Sequence, residues 1–525
     1  MIRRNPVAFA MLAFLAVAVV GLLARPLLPI DETRYLAVAW EMHLSGDWLV
    51  PSKNFAPYSD KPPLLFWAIN LVWLMTGVSE FTARLVVPLF CCAAIWLSAV
   101  LARRLWPDDP EIGGRTALAL TGLLAFGLSG SLTMFDVPLA VATLAGLICL
   151  HGAAREVQAG RSGLLPWAGF GDALALGVLT KGPVILFHLL PAALLLPLWS
   201  GGLSWRVLSR GIGFGLLVAL VMVSLWLVPA AILGGEEYRN AILWRQSAGR
   251  MAGSFAHAQP WWFYLALLPL LAFPLAWSPS LWRAGAGAPW RKDPGLRLCL
   301  IWGGAALFLF SLTSGKQAHY LVPELPALAL IAARLSKDLP RQTIMPAILV
   351  LGSLAVVAAL AGIGILPLGD LATLFAPKST LLAWALLIAG LCCACLANRL
   401  PCAAQLSLGT LLVTNLLIGA TAAGRVYSTH PIAEAITRAR PAAIGYIGQP
   451  YHGEFTFTAR LTKPVTTLEN SAQLLRWGAD HPHGLILGRR GAVEPPWPPQ
   501  DIIRFRNRDY GLWQVVQPPS NTEEQ

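Results

Sequence analysis

Residues 7–35 read VAFAMLAFLAVAVVGLLARPLLPIDETRY: an uncharged apolar run, then an arginine, two prolines and a dense polar cluster. A helix crossing a bilayer needs about 20 apolar residues, and this run supplies them. The pattern of apolar run and polar break recurs to residue 424, near 84–102, 115–131, 137–154, 166–180, 183–199, 211–233, 261–280, 297–313, 321–336, 343–366, 379–397 and 402–424. That predicts a polytopic α-helical membrane protein of about thirteen spans. Composition agrees, because the 525 residues are 56% hydrophobic and only 13% charged, against about 25% charged in soluble domains. So little charge cannot dress a water-facing surface over the whole length.

The net charge of +12 would suggest nucleic acid in a soluble chain, but here it tracks loops. Threading the runs alternately collects Arg3, Arg4, Arg103, Arg104, Arg115, Arg155, Arg161, Arg206, Arg210, Arg283, Arg291, Lys292, Arg297, Arg334, Lys337, Arg341 and Arg399 on one side. Basic short loops mark the cytoplasmic side. The N-terminus is then expected inside, and an odd number of spans puts segment 425–525 outside. The basic, apolar start resembles a signal peptide but lacks a small-x-small cleavage site before Arg25, so it is expected to be a retained helix. All eight cysteines (Cys91, Cys92, Cys149, Cys299, Cys392, Cys393, Cys395 and Cys402) lie in or beside apolar runs. Their expected role is packing, with no disulfide framework implied.

The predicted outer side carries two long insertions, 31–83 and 234–260. In the first, Trp40, Leu44, Trp48, Phe66, Trp67, Ile69, Trp73 and Leu74 form amphipathic stretches, expected to lie along the interface with rings at headgroup depth. Segment 425–525 is richer in charge, with short apolar runs such as AAIGYIG and GLILG. It is expected to be a small α/β domain following a transmembrane domain of residues 1–424.

Residues suited to chemistry gather on the same outer side. Asp31 and Glu32 complement a helix N-terminus, while Arg34 and Tyr35 follow on the same turn, so a carboxylate beside a cation is available as a base or an orienting group. In Tyr58-Ser59-Asp60-Lys61-Pro62-Pro63, the prolines stiffen the backbone behind a lysine, either as a plain surface turn or as a seat for a lipid phosphate. Asp136 sits between two apolar runs, where an ionisable group is a functional hypothesis by default. Lys181 and Lys316 follow Thr180 and Gly315 at similar boundaries. A single such lysine is ordinarily a snorkelling anchor. Lys61, Lys181 and Lys316, with Arg245 and Arg250 in the second insertion, together suit an anionic headgroup and a phosphate leaving group. The sequence contains no Walker loop, Gly-x-Gly-x-x-Gly fingerprint or HExxH motif. An outer-face enzyme has no nucleotide supply, so an activated substrate would be carried on a lipid.

The run PIDETRYLAVAWEMHLSGDWLVPSKNFAPYSDKPPLLFW, the Asp136 loop, Thr180-Lys181-Gly182 and SGKQAHYLVPELPALAL resemble, in order, the bacterial aminoarabinose (lipid A) transferases. Those belong with the protein O-mannosyltransferases. The resemblance implies a GT-C glycosyltransferase fold and a sugar donor on undecaprenyl (polyprenyl) phosphate. It implies Asp31 as the catalytic carboxylate and Asp136 as the second. Arg34, Tyr35, Tyr58, Lys61, Lys181 and Tyr320 would line the lipid-phosphate cavity. Two departures stand out: Asp60 replaces the usual Glu, and WRQSAGRMAGSFAHAQPWW lacks the usual Glu-His-Ile-Gln-Arg-like stretch, keeping Arg245, Arg250 and His257 there. Some relatives hold a metal with that Glu and His, which leaves a divalent metal cofactor open. The expected function is inverting transfer of a sugar to a lipid A or lipopolysaccharide acceptor at the periplasmic face of the inner membrane. A protein O-glycosyltransferase is the near alternative. A secondary transporter or flippase is the alternative from another class, with no inverted repeat visible to support it. A catalytically inactive scaffold would leave the acidic and basic motifs unexplained.

Overall fold

The computed structural model describes residues 5–202, 204–243, 258–339, 343–397, 402–491 and 493–516. The first apolar run forms α1 (Pro6–Ala24), started by Asn5, whose side chain accepts the Ala8 N–H at 3.1 Å, with Pro6 at the first helical position. The first long insertion folds into α2 (Asp31–Ser45), a small hairpin of β1 (Ser52–Lys53) and β2 (Ala56–Pro57), and α3 (Leu64–Thr76). Then come α4 (Glu80–Leu105), α5 (Ile112–Thr121), α6 (Leu124–Gly130), α7 (Asp136–Gln158), α8 (Leu164–Lys181) and α9 (Ile185–Leu194). Helix α4 carries Glu80 in its first turn and Arg103 and Arg104 in its last, both complementing the helix dipole.

Among the described residues, eight helices are long and apolar enough to cross a membrane, or nine if α5 and α6, bent at 73°, count as one span. The sequence-based count of about thirteen included runs that fold into shorter pieces: α9, Phe263–Leu271 and Leu325–Leu335. Prolines explain some of this, with Pro191 and Pro269 inside two of them. Where α8 crosses the helix Trp205–Leu233, a Cβ on Gly171 would sit 2.4 Å from the Gly215 carbonyl oxygen. Only glycine permits that approach.

The chain ends in a five-stranded sheet of order β4-β3-β5-β7-β6, from β3 (Ile444–Ile447), β4 (Val465–Leu468), β5 (Leu485–Arg489), β6 (Asp501–Phe505) and β7 (Arg508–Gln514). Strands β4, β3 and β5 are parallel, and β7 runs antiparallel to β5 and β6. In β5, Leu485 and Leu487 join one core while Ile486 joins the other with Trp477 and Trp513. Both faces are covered, which is why GLILG reads as continuously apolar.

This terminal domain sits on the first insertion. Trp40 Nε1 donates to the Leu461 carbonyl at 2.9 Å, and Trp73 stacks on Phe457 at 5.5 Å. Asn54 clamps the Val465 backbone from both sides, accepting its N–H at 2.8 Å and donating to its carbonyl at 2.9 Å. Asn54 and Phe55 have φ of 55° and 59°, and the buried Glu41 carboxylate accepts both their N–H groups at 2.7 Å, stabilising a left-handed turn without glycine. Trp40 and Trp73, two of the aromatic residues expected along the interface, thus pack on protein. Their polar edges and flat faces are used against the terminal domain, while Leu74 remains exposed.

Candidate active site

Asp31 is the first residue of α2 and makes no capping bond, so its carboxylate remains available. One turn on, Arg34 Nη2 lies 2.8 Å from Asp31 Oδ1, and the Tyr35 hydroxyl donates to the same oxygen at 3.4 Å. This is the i,i+3 and i,i+4 spacing of one helix face. The Asp31 side chain is 50% exposed, whereas Tyr35 is buried. Burial, reinforced by the Asp31 charge, pushes the Tyr35 pKa far above its ordinary value. Tyr35 is therefore a donor to Asp31 rather than a base.

The Tyr35 ring meets Phe135 edge-on at 4.9 Å, and Phe66 of α3 lies 5.6 Å from Phe135. Each such pair contributes about 0.5–1.5 kcal/mol beyond burial. Phe135 immediately precedes Asp136, and the Lys61 ammonium stands 5.7 Å from the Phe135 ring centre. One aromatic cluster thus gathers the Asp31 turn, the Lys61 turn and the Asp136 turn, although they are distant in sequence.

Asp136 is the first residue of α7 and is buried. Its carboxylate is paired with Lys181 Nζ at 2.5 Å, and Lys181, the last residue of α8, stands 4.6 Å over the Tyr320 ring. His319 meets Tyr320 edge-on at 5.0 Å. Burial lowers the His319 pKa despite the opposing Asp136 charge, and the Lys181 and Lys61 charges act in the same direction as burial.

Glu32 joins the two acidic sites. Its carboxylate pairs with Arg25 at 2.8 Å and accepts the N–H groups of Leu28 at 3.0 Å and Thr133 at 2.8 Å. Arg25 also donates to the Ser131 carbonyl. Burial alone would raise the Glu32 pKa, but Arg25 and Arg84 more than offset it and hold the group below its ordinary value. Arg84 donates to the carbonyls of Leu22, Arg25 and Pro26 and to Glu80. Glu32 is thus a clip between the start of α2 and the loop leading into α7.

The other expected residues divide. Tyr58 is buried, with Lys53 5.5 Å from its ring, and both Tyr58 and Asp60 act electrostatically on Arg34. Lys316 is buried and engaged by backbone carbonyls, donating to Gln259 at 2.9 Å and to Thr313. Its ammonium ties a loop together, in contrast to the Lys181 ammonium at Asp136. Arg245, Arg250 and His257 lie outside the described residues. Among the described residues, no group of three His, Cys, Asp or Glu side chains could hold a metal, and no chemical step below is routed through one.

Sequence reasoning missed the Arg25–Glu32–Arg84 network, His319, and a buried pair between His188 Nδ1 and Glu324 at 2.5 Å. A signal was present for several of these. Arg25 and Arg84 flank the first insertion, on the side where the basic-loop pattern leads one to expect few cations, and His188 and Glu324 interrupt apolar runs.

Residues 60–228 match the family described as dolichyl-phosphate-mannose-protein mannosyltransferase. The undecaprenyl phosphate-alpha-4-amino-4-deoxy-L-arabinose arabinosyl transferase of Pseudomonas paraeruginosa is 34% identical over 310 residues, covering 57% of this chain and 54% of that one. That of Pseudomonas aeruginosa is 34% identical over 341 residues, covering 63% and 59%. The chain thus spans a little over half the length of these curated relatives. The crystal structure of ArnT from Cupriavidus metallidurans bound to undecaprenyl phosphate superposes with a TM-score of 0.74 at 22% identity, covering 98% of this chain and 99% of that one. The chain has the GT-C fold of a multi-pass membrane protein, and in sequence it is similar to the undecaprenyl-phosphate aminoarabinose transferases and the protein mannosyltransferases.

Proposed function

We propose that the chain is an inner-membrane glycosyltransferase that takes a sugar from undecaprenyl phosphate and passes it to a lipid A-type acceptor at the periplasmic face. The observation that carries this reading is the convergence of Asp31–Arg34, Lys61 and Asp136–Lys181 around Tyr35 and Phe135. The similarity to arabinosyl transferases and to an undecaprenyl phosphate-bound structure supplies the donor class.

In the proposed reaction, an acceptor oxygen attacks the anomeric carbon from the face opposite the phosphate. The carbon–oxygen bond to phosphate breaks, and its electron pair stays on the phosphate oxygen. Lys61, Lys181 and Arg34 offset the charge that develops there. Asp31 is exposed enough to meet the acceptor. It removes the proton of a hydroxyl acceptor, or orients the sugar when the acceptor is an already ionised phosphate. Tyr35 and Arg34 fix its orientation, and Asp136 holds Lys181 in place.

The decisive assay supplies purified protein with undecaprenyl phosphate-aminoarabinose and lipid A and follows modified lipid A by mass spectrometry. Transfer by the intact chain and its loss in Asp31→Asn are expected. Absence of transfer to lipid A, with transfer to a peptide hydroxyl instead, would favour the protein-directed reading that the family match over residues 60–228 keeps alive. We further propose the orientation set by the basic loops, with the N-terminus cytoplasmic and residues 425–525 periplasmic. Cysteine labelling in intact cells tests it: a cysteine at Glu469 should react with an impermeant maleimide, and protection until lysis would reverse the topology.

A further inference from the structure

One end of the terminal sheet carries charge that the proposed transfer does not use. Arg489 ends β5, Arg490 follows it, Arg504 lies near the end of β6 and Arg508 begins β7. Register brings them together: Arg489 pairs across from Tyr510, Arg504 from Asp509, and the Arg490 N–H donates to the Asp509 carbonyl at 2.9 Å. With Asn507 and Asp509, these four exposed arginines line a cavity of about 270 Å³. Some of these groups already have partners. Glu494 lies 3.4 Å from Arg490 Nε, and Asn507 accepts from Arg504 Nη2 at 2.8 Å. Four guanidinium groups against the carboxylates of Asp509 and Glu494 still leave the cradle positive. Charges that merely protect a sheet edge would be spread along β6, whereas these concentrate at its turn.

The position of that turn gives the charge a partner. The Arg506 N–H donates to the Val426 carbonyl at 2.8 Å. Val426 lies only six residues beyond Ala420, where the last apolar helix, Cys402–Ala420, ends. The arginine-bearing end of the sheet is therefore moored where the chain leaves the membrane. Guanidinium forks match phosphate oxygens two at a time, and basic clusters beside a membrane attract anionic lipid.

We propose that Arg489, Arg490, Arg504 and Arg508 form a binding site for the phosphate of an anionic phospholipid headgroup, separate from the Asp31–Asp136 site. The site would anchor the terminal domain to the lipid surface, whatever sugar or acceptor the chain uses. The test titrates the purified full chain, in neutral detergent, with dihexanoyl phosphatidylglycerol, dihexanoyl phosphatidylcholine and inorganic phosphate, read by calorimetry.

Phosphatidylglycerol should bind, and the Arg504→Gln/Arg508→Gln double variant should weaken it at least about tenfold. Arg504→Lys/Arg508→Lys should retain a larger share of the binding, since it keeps charge while losing the fork. Lys61→Gln, at the other site, should leave the arginine-dependent component intact. Unchanged binding in the Arg504→Gln/Arg508→Gln chain would overturn the site. Equal binding of inorganic phosphate would overturn the lipid assignment in favour of a free anion, and equal binding of phosphatidylcholine would remove the role of charge. Because all four arginines are exposed, an unchanged melting curve is expected for each variant. A collapsed curve would overturn the separation of this cradle from the folding core.

Discussion

The Glu32 carboxylate accepts the Thr133 N–H at 2.8 Å, three residues before Asp136, while Glu32 itself directly follows Asp31. Through this bond, the Arg25 bridge from Glu32 to the Ser131 carbonyl and the Tyr35–Phe135 contact, the two acidic sites are held in a fixed relation. Asp31 and Asp136 therefore have different environments by construction: one half-exposed beside Arg34, the other buried against Lys181.

Replacing Asp31 by Asn should lower turnover by about 10²–10⁴-fold, the range of a general base or orienting carboxylate. Its partner Arg34 is a partly exposed neighbour, and such pairs contribute only about 0–1 kcal/mol. The melting temperature in detergent should therefore barely move. Full activity in the lipid A transfer assay would remove Asp31 from the chemistry.

Glu32→Ala should behave in the opposite way, destabilising the chain before it affects any chemical step. Removing one partner of a buried ion pair typically costs about 3–5 kcal/mol, and the Thr133 N–H would lose its acceptor as well. The same group predicts an acid limit. Its folded pKa lies below the ordinary 4.5, so its stabilisation is present above pH 4.5 and is lost as pH falls through the folded value. Thermal melts between neutral pH and pH 3 should show that loss in the intact chain and a smaller one in Glu32→Gln.

Lys181→Gln should reduce kcat/KM by about 10²–10³-fold and also destabilise, because Asp136 is left buried without its cation. Adding Asp136→Asn should recover much of the stability but none of the activity. A double variant that regains activity would argue that the pair only holds α7 against α8.

The terminal domain should loosen from the start of α4 as pH rises. His430 Nε2 lies 3.3 Å from Glu80, and that hydrogen bond raises the His430 pKa above 6.5. The contribution is therefore fully present below pH 6.5 and lost as pH rises through the folded value. Since His430 is half exposed, the effect is that of a surface pair, about 1 kcal/mol or less. Hydrogen exchange of residues 430–440 should quicken between pH 6 and pH 8.5 beyond the intrinsic rate, and His430→Ala should abolish the difference.

The local chemistry was legible from the chain alone. Apolar runs dictate membrane helices because lipid leaves a backbone no other partner, and Asp31, Arg34 and Tyr35 share a face because a helix repeats every three to four residues. The short apolar runs AAIGYIG and GLILG in a more charged segment likewise marked the terminal sheet. Tertiary structure decided which of the similar signals meet. Lys181 and Lys316 both end apolar runs beside glycine and serine or threonine, yet one reaches Asp136 and the other binds the carbonyls of Gln259 and Thr313. Glu32 reads as a helix-terminal acid, but its partners Arg25 and Thr133 are set by packing, the latter 101 residues away. The same holds for Trp73 against Phe457 and Asn54 against Val465. Periodicity determines which side of an element a residue occupies; only the docking of elements determines what faces it, because that contact depends on residues far apart in the chain.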